Sequence, residues 1–215
     1  MIEEQISEQI EKTVYQALEY FNLELSIIPL SFKQKDKPID KFDDYYNESA
    51  DIKELATDKK WFNVNRNIAI LTGEQSDIIV IDIDSSEHFN ILALEEIPTD
   101  TPRVKTSRGY HLYFAYPKSS KRIGNGAKRK IVTPSGKEIE IDFRGNKGYA
   151  LAPPSVHPSG TVYEWEIHIE KNRANIRAMP EWLLKQIVAP KQNTYAEDNE
   201  PSMYKLEGGT PTKLS

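Results

Sequence analysis

The sequence predicts an α+β fold, because helical and strand patterns are mixed along the chain without regular alternation. Two apolar runs rich in β-branched residues, at 67–71 and 77–83, indicate buried strands. Apolar residues at helical spacing among Glu, Gln and Lys predict an amphipathic helix over 3–21 instead. The 215 residues suffice for one large domain, or two small fused ones, with a packed core.

The other elements follow from the same two periodicities. Further strands are predicted at 25–30, 110–116, 138–143, 148–152 and 161–165. Further helices are predicted at 50–62, 86–96 and 180–188, the last with Pro180 at its start. After residue 189 the composition turns polar and rich in Gly and Pro, which predicts a tail or linker over 190–215.

Composition excludes several classes of function. The chain has no cysteine, so disulfide scaffolds, thiolate zinc sites and cysteine nucleophiles are excluded. No apolar run approaches the roughly 18 residues that a membrane span needs. The N-terminus is acidic and amphipathic, unlike a secretory signal. We therefore expect a cytoplasmic protein without membrane contact.

The formal net charge of -5 hides a basic block inside an acidic chain. Residues 101–150 carry 12 Lys and Arg against three Asp and Glu. Residues 118–137 carry seven basic side chains and no acidic one. Such a block attracts polyanions, because electrostatic potential is local at physiological salt. The alternative is a solvated loop with surplus lysines.

Two predicted strands carry carboxylates that point to one chemistry. Alternation places Asp82 and Asp84 on the same face of a strand that is otherwise apolar. Burying two like charges is costly, and a divalent cation such as Mg²⁺ or Mn²⁺ removes that cost. Glu138, Glu140 and Asp142 share one face of a second strand, where Asp142 is the best third ligand for a two-metal cluster. The alternative for this strand is an edge strand with a solvated polar face.

Cationic and hydroxyl side chains accompany these carboxylates. Lys105, Ser107 and His111 lie between the two carboxylate strands, and Arg144 and Lys147 follow Asp142 directly. Cations neutralise phosphate, while Ser and His donate hydrogen bonds to its oxygens. The alternatives are a structural histidine and a plain hairpin turn. Carboxylates beside phosphate-binding groups indicate phosphoryl or nucleotidyl transfer. Composition and spacing alone do not indicate a more specific reaction.

The order of these segments resembles the primase-polymerase (Prim-Pol) family of the archaeo-eukaryotic primase superfamily, of the type found in plasmids, phages and mobile or defence elements. The resemblance runs from about Ala17 to about Leu184. NIAILTGEQSDIIVIDID resembles the family's first motif, an acid-x-acid pair. TPRVKTSRGYHLYF resembles the second, in which a serine and a histidine hold the triphosphate. EIDFRGNKGYALAPPSVHPSG resembles the third, a hydrophobic residue and a metal-binding aspartate followed by a PPSxH turn.

The resemblance implies a two-part catalytic core with an RNA-recognition-motif-like sheet carrying the metal ligands. The parts would be 1–75 and 76–189. It implies template-directed synthesis from dNTPs or NTPs on single-stranded DNA and a primer, in a chain working with further replication or defence-system domains. The catalytic residues and ligands of two Mg²⁺ or Mn²⁺ ions would be Asp82, Asp84 and Asp142. The nucleotide would be bound by Lys105, Ser107, His111, Arg144 and Lys147. Template phosphates would contact the basic block, at Lys121, Arg122, Lys128, Arg129 and Lys130. Bases could stack on Tyr110 or Tyr149.

Two other functions are compatible with the same residues. A metal-dependent nuclease would use the three aspartates to cleave DNA without any nucleotide. A non-catalytic module would bind nucleic acid or nucleotide without turnover. The presence of all three acidic residues argues against the second alternative.

Overall fold

A computed structural model describes residues 2–35, 38, 65–98, 100–118 and 122–189. The predicted helix at 50–62, the predicted tail at 190–215 and Lys121 lie outside the described residues. Within the described part, three helices and nine strands form two antiparallel sheets, which confirms the predicted α+β class. No helix in this part is both long and apolar enough to cross a membrane.

The helices match the predicted ones closely. Helix α1 spans Ile2–Asn22, α2 spans Ser86–Ala93 and α3 spans Glu181–Val188. The Ser85 hydroxyl accepts a hydrogen bond from the backbone N–H of His88 and so caps the start of α2. Helix α2 ends at Ala93, three residues earlier than predicted, because the following residues turn back on the helix with backbone hydrogen bonds to its last carbonyls.

Seven strands were predicted and nine are present among the described residues. They are β1 Ile27–Ser31, β2 Arg66–Leu71, β3 Ile78–Ile83, β4 Arg103–Lys105, β5 Tyr110–Ala115, β6 Gly126–Val132, β7 Glu138–Arg144, β8 Tyr149–Ala152 and β9 Glu164–Ile167. Strands β4 and β6 were not predicted, and β9 begins three residues later than expected. Strand β6 lies inside the basic block at a sheet edge, where only Ile131 is buried, so it lacks an apolar pattern.

The smaller sheet has the order β1-β2-β8, and α1 packs against it. Ala17 and Tyr20 of α1 join Ile68 and Ile70 of β2 in one apolar cluster. Strand β8 belongs to this sheet, although it lies in the second of the two predicted parts. One sheet therefore contains strands from both predicted parts, 1–75 and 76–189. The division of the chain into two parts at residue 75 stays a prediction.

The larger sheet has the order β6-β7-β3-β5-β4-β9, with β3 near its centre. Ile79, Ile81 and Ile83 of β3 pack in a cluster with α2 and α3. Ile78 and Val80 point the other way, into the cluster formed with the smaller sheet. Strand alternation then carries residue 82, and residue 84 beyond it, onto the face toward the smaller sheet. This register decides where the predicted site residues lie.

Candidate active site

Two of the three predicted aspartates are direct neighbours across strands. Asp82 on β3 is in register with Asp142 on β7 and, on its other side, with His111 on β5. Residues opposed in this way have Cβ atoms about 4.5–5.5 Å apart and share one face of the sheet. Asp84 follows immediately beyond the end of β3 on the same side. The sheet thus places a row of Asp142, Asp82 and His111 across three adjacent strands.

All three aspartates line one cavity of about 350 Å³. The cavity is lined by Lys35, Asp82, Asp84, His111, Asn125, Asp142, Arg144, Lys147, Gly148, Tyr149, Ala150, Leu151 and Tyr163. Its wall combines carboxylates with cations from β7, from the loop after it and from the segment after β1. A cavity of this size with a few convergent charged groups is typical of a small-molecule or cofactor site.

Asp82 is ionised although its side chain is only 21% exposed. Burial by itself raises the pKa of this carboxyl, but His111, Arg144 and Lys35 together outweigh burial and hold the pKa below its ordinary value. The nearest of these groups is the Nε2 atom of His111, which lies 3.5 Å from Asp82 Oδ1. The site therefore presents a negative charge at its centre at neutral pH.

Asp142 is held by two donors. Its Oδ1 atom accepts a hydrogen bond from the backbone N–H of Lys128 at 2.8 Å, and its Oδ2 atom accepts one from Arg144 Nη2 at 3.0 Å. The Lys128 N–H reaches the carboxylate because β6 has a bulge between Gly126 and Arg129, where Lys128 adopts a φ of 50°. The bulge in the edge strand thus orients Asp142, one member of the row formed by Asp142, Asp82 and His111.

Asp84 is paired with Arg108, whose Nη2 atom lies 2.8 Å from Asp84 Oδ2. The loop before β5 brings Arg108 there. The Thr106 hydroxyl accepts hydrogen bonds from the backbone N–H groups of Arg108 and Gly109, which closes the loop. A Cβ atom on Gly109 would lie 2.9 Å from the carbonyl carbon of Ile83 and closer still to its oxygen. Glycine is needed there because the loop lies directly against the end of β3.

The three aspartates offer oxygen ligands that suit a hard divalent cation. Their side chains, however, are not yet close enough together to surround one ion. Carboxylate oxygens on one face are the ligands that Mg²⁺ and Mn²⁺ prefer. In the ranges that the structure describes, however, no three His, Asp or Glu side chains converge closely enough to hold an ion. Asp84 and Asp142 pair instead with arginines of the chain. The residue types and their shared cavity fit a metal site, and the metal itself stays a prediction.

An aromatic wall borders the row on the side of β5. His111 is buried, and its Nδ1 atom has no hydrogen-bond partner among the described residues. The ring centroid of Tyr163 lies 5.6 Å from that of His111. Burial raises the pKa of the Tyr163 phenol, and the negative charges of Asp82 and Asp84 raise it further. This phenol therefore remains a neutral hydroxyl in the cavity wall.

The end of β7 and the loop after it carry the cations on the opposite side of the row. Arg144 and Lys147 both line the cavity, and their role as a nucleotide clamp stays a prediction. Asn125 Oδ1 accepts a hydrogen bond from the backbone N–H of Gly145, and the Thr72 hydroxyl donates one to the carbonyl of the same residue. This loop is therefore fixed on two sides, which sets the position of Lys147.

Two of the predicted nucleotide ligands are not among the residues that line the cavity. Ser107 is absent from its lining, and so is Lys105. Lys105 is in register with Tyr110 of β5, so both lie on the face of the sheet opposite to His111.

The two aromatic candidates for base stacking lie in different places. Tyr149 lines the cavity, whereas Tyr110 stacks on Phe89 of α2 with ring centroids 3.9 Å apart.

The basic residues predicted to bind DNA have different surroundings. Arg122 pairs with Glu74 at 3.1 Å, and Lys130 pairs with Glu138 at 3.0 Å. Arg129 donates hydrogen bonds to the backbone carbonyls of Ile187 and Ala189 at the end of α3. Lys128 is exposed and has no ion pair within the part of the chain that the structure describes. Lys128 is therefore the most available of these cations.

Sequence reasoning missed three polar side chains of the cavity wall, namely Lys35, Asn125 and Tyr163. Lys35 lies in a polar segment, and Asn125 lies inside the basic block at 118–137, where charge and not a neutral amide drew attention. Tyr163 follows the PPSVHPSG turn closely, and that turn was the one available signal. Each of the three comes from a segment remote from the carboxylates, so only folding brings it to the site.

Comparison with known proteins agrees with the motif order. No curated protein matches the chain. The family described as bifunctional DNA primase/polymerase, N-terminal (Prim-Pol), matches residues 17–182, which is most of the chain and includes every cavity residue named above. The chain therefore belongs to the Prim-Pol family, and this membership implies a nucleotidyltransferase-type enzyme with nucleotide and nucleic-acid substrates.

Proposed function

We propose that the protein is a template-directed DNA primase/polymerase that joins nucleoside triphosphates to initiate and extend primers on single-stranded DNA. One observation carries this proposal. Asp142, Asp82 and His111 stand side by side on three adjacent strands, with Asp84 next to them, in a cavity that also contains Arg144 and Lys147. Negative ligands for cations and positive groups for phosphate thus meet in one place.

Asp82, Asp84 and Asp142 would hold two divalent ions, Mg²⁺ or Mn²⁺. Such ions, when bound, neutralise the triphosphate and align a primer 3′-hydroxyl for in-line attack. Arg108 and Arg144 now occupy carboxylate oxygens that the ions need. The proposal therefore requires that both guanidinium groups give up part of these contacts, which leaves them free for phosphate oxygens.

The nucleotide would be bound chiefly by His111, Arg144 and Lys147. His111 is fixed by its neighbour Asp82, and Lys147 by the anchored loop after β7. Preorganised donors of this kind act on phosphate without reorganising during the reaction. The predicted contacts of Lys105 and Ser107 with the nucleotide have no comparable support.

Template phosphates would follow the basic edge formed by β6 and the segment before it. Lys128 is the strongest candidate, because it is exposed next to the backbone N–H that binds Asp142. Arg122 and Lys130 could exchange their exposed carboxylate partners for phosphate at little cost, since surface ion pairs are weak. Arg129 would contribute less, because its guanidinium binds the end of α3.

The test is a synthesis assay on an unprimed and a primed single-stranded template. Each nucleotide type is supplied with Mg²⁺ or Mn²⁺, and the product length is measured. We expect Asp142→Asn to lower synthesis at least about 100-fold, since it removes a direct ligand. Glu140→Gln is the matched control, because Glu140 lies two residues earlier on the same face of β7 and outside the cavity.

The outcomes separate the alternatives. Cleavage of labelled DNA in the absence of nucleotides would indicate a nuclease that uses the same aspartates. Binding of nucleotide or DNA without either reaction would indicate a non-catalytic module. Equal synthesis by the Asp142→Asn variant and the wild type would refute the role of this carboxylate.

A further inference from the structure

Tyr163 is a polar side chain in the cavity that the proposed mechanism leaves unused. It precedes β9 and lines the cavity together with Asp82, Asp84 and His111. Its hydroxyl makes no hydrogen bond with any residue that the structure describes. Tyr163 as a whole is buried, but its hydroxyl is not one of the fully buried atoms that lack a partner, so the hydroxyl is accessible from the cavity. A hydroxyl that lacks a partner at the wall of a ligand cavity is a group that a ligand can engage.

The PPSVH turn holds Tyr163 in this position. The backbone N–H of Tyr163 donates to the carbonyl of Ser155 at 2.8 Å. The Ser155 hydroxyl accepts from the N–H of Ile68 and donates to its carbonyl. The Asn67 side chain contacts Val156 in the same two ways. Strand β2 thus braces the turn, and the turn carries Tyr163 to the carboxylate row.

Cationic side chains lie near Tyr163 together with the carboxylates of Asp82 and Asp84. Lys35 lines the same cavity, and the ring centroid of His157 lies 6.3 Å from that of Tyr163. Arg108 is also on this side, paired with Asp84. Lys35 and Arg108 can attract an anionic ligand to this side, and the Tyr163 hydroxyl is suited to donate a hydrogen bond to a charged oxygen of that ligand.

Resting on the proposed function, we propose that the Tyr163 hydroxyl binds a phosphate oxygen of the nucleotide on the β9 side of the carboxylates. Arg144 lies on the β7 side of the same row. Tyr163 and Arg144 would then bind the phosphate chain from opposite sides of the carboxylates. The PPSVH turn then has a defined role, which is to place this hydroxyl.

The test compares Tyr163→Phe with the wild type and with Tyr15→Phe, a control on α1 that is 66% exposed. Calorimetric titrations with dATP and with inorganic tripolyphosphate are made in the presence of Mg²⁺. We expect roughly tenfold weaker binding of both ligands by Tyr163→Phe, the usual loss for one hydrogen bond to a charged group. The KM for dATP in primer extension should rise by a similar factor. The thermal midpoint should not change, because the hydroxyl has no partner in the described chain.

Three results would overturn the inference. One is unchanged binding of both ligands by Tyr163→Phe. Another is weaker binding of dATP with unchanged binding of tripolyphosphate, which would assign the hydroxyl to the sugar or base. The third is a lower thermal midpoint, which would assign it a structural role. In each case, primer extension by the wild type would leave the proposed function intact. A wild type that neither binds dATP nor extends primers would refute both the proposed function and the role of Tyr163.

Discussion

Replacing Gly109 with alanine tests whether the loop before β5 positions the active site. The added Cβ would lie 2.9 Å from the carbonyl carbon of Ile83 and closer to its oxygen, and both atoms belong to the backbone of β3. The two backbones must then separate by about 1 Å or more, a displacement that can cost about 100-fold in rate at an active site. Overpacking of this kind also costs about 1–3 kcal/mol of stability.

The assay measures primer extension and thermal unfolding of the Gly109→Ala variant. We expect activity to fall about 100-fold. The thermal midpoint should fall by about 2–12 °C, since 1 kcal/mol corresponds to about 2–4 °C in a chain of this size. Gly124→Ala is the control, because a Cβ there would meet nothing within 4 Å. Wild-type activity and an unchanged midpoint in Gly109→Ala would refute the close packing of this loop on β3.

Three further predictions concern single contacts. Arg108→Gln should tighten Mn²⁺ binding by up to about fivefold, because the exposed pair of Arg108 with Asp84 contributes at most about 1 kcal/mol. The affinity is measured by electron paramagnetic resonance titration. Weaker binding by the variant would contradict a competition between Arg108 and the ion for Asp84. Burial lowers the pKa of His157 below 6.5, so the folded state favours the neutral imidazole. This preference stabilises the fold above pH 6.5, and the stabilisation is lost as the pH falls through the lower pKa of the folded state. The wild type should therefore lose stability relative to His157→Gln as the medium is acidified from pH 7, and a constant difference in thermal midpoint would contradict this. Ser155→Ala should lower the free energy of unfolding in urea by about 2–4 kcal/mol, because two buried backbone groups of Ile68 lose their partner; a loss below about 0.5 kcal/mol would contradict it.

The bulge in β6 illustrates a limit of sequence reading. The basic residues 126–132 were recognised as a charged block, and their strand was not. Their positions in the fold differ strongly, since Lys128 is exposed whereas Arg129 binds the end of α3. Nothing in a run of Lys and Arg distinguishes these roles, because each is set by which element packs beside the strand.

The faces on which Asp82, Asp84 and Asp142 lie could be predicted from the sequence, because they depend on local periodicity. The alternation of Ile79 to Ile83 buries one face and assigns Asp82 and Asp84 to the other, whatever strands lie next to them. The same rule placed Asp142 opposite to its buried neighbours on β7. These residues were therefore identified as a set before any pairing of strands was known.

Tertiary structure alone decided which residues meet that set. Pairing of β3 with β7 and β5 put Asp142 and His111 beside Asp82, and pairing of β4 with β5 turned Lys105 to the opposite face. The brace from β2 brought Tyr163 into the cavity. These contacts join segments far apart along the chain, and their register depends on loops, bulges and packing that no local pattern encodes. Local periodicity thus determined the kind of chemistry available, and strand pairing determined the site in which it can occur.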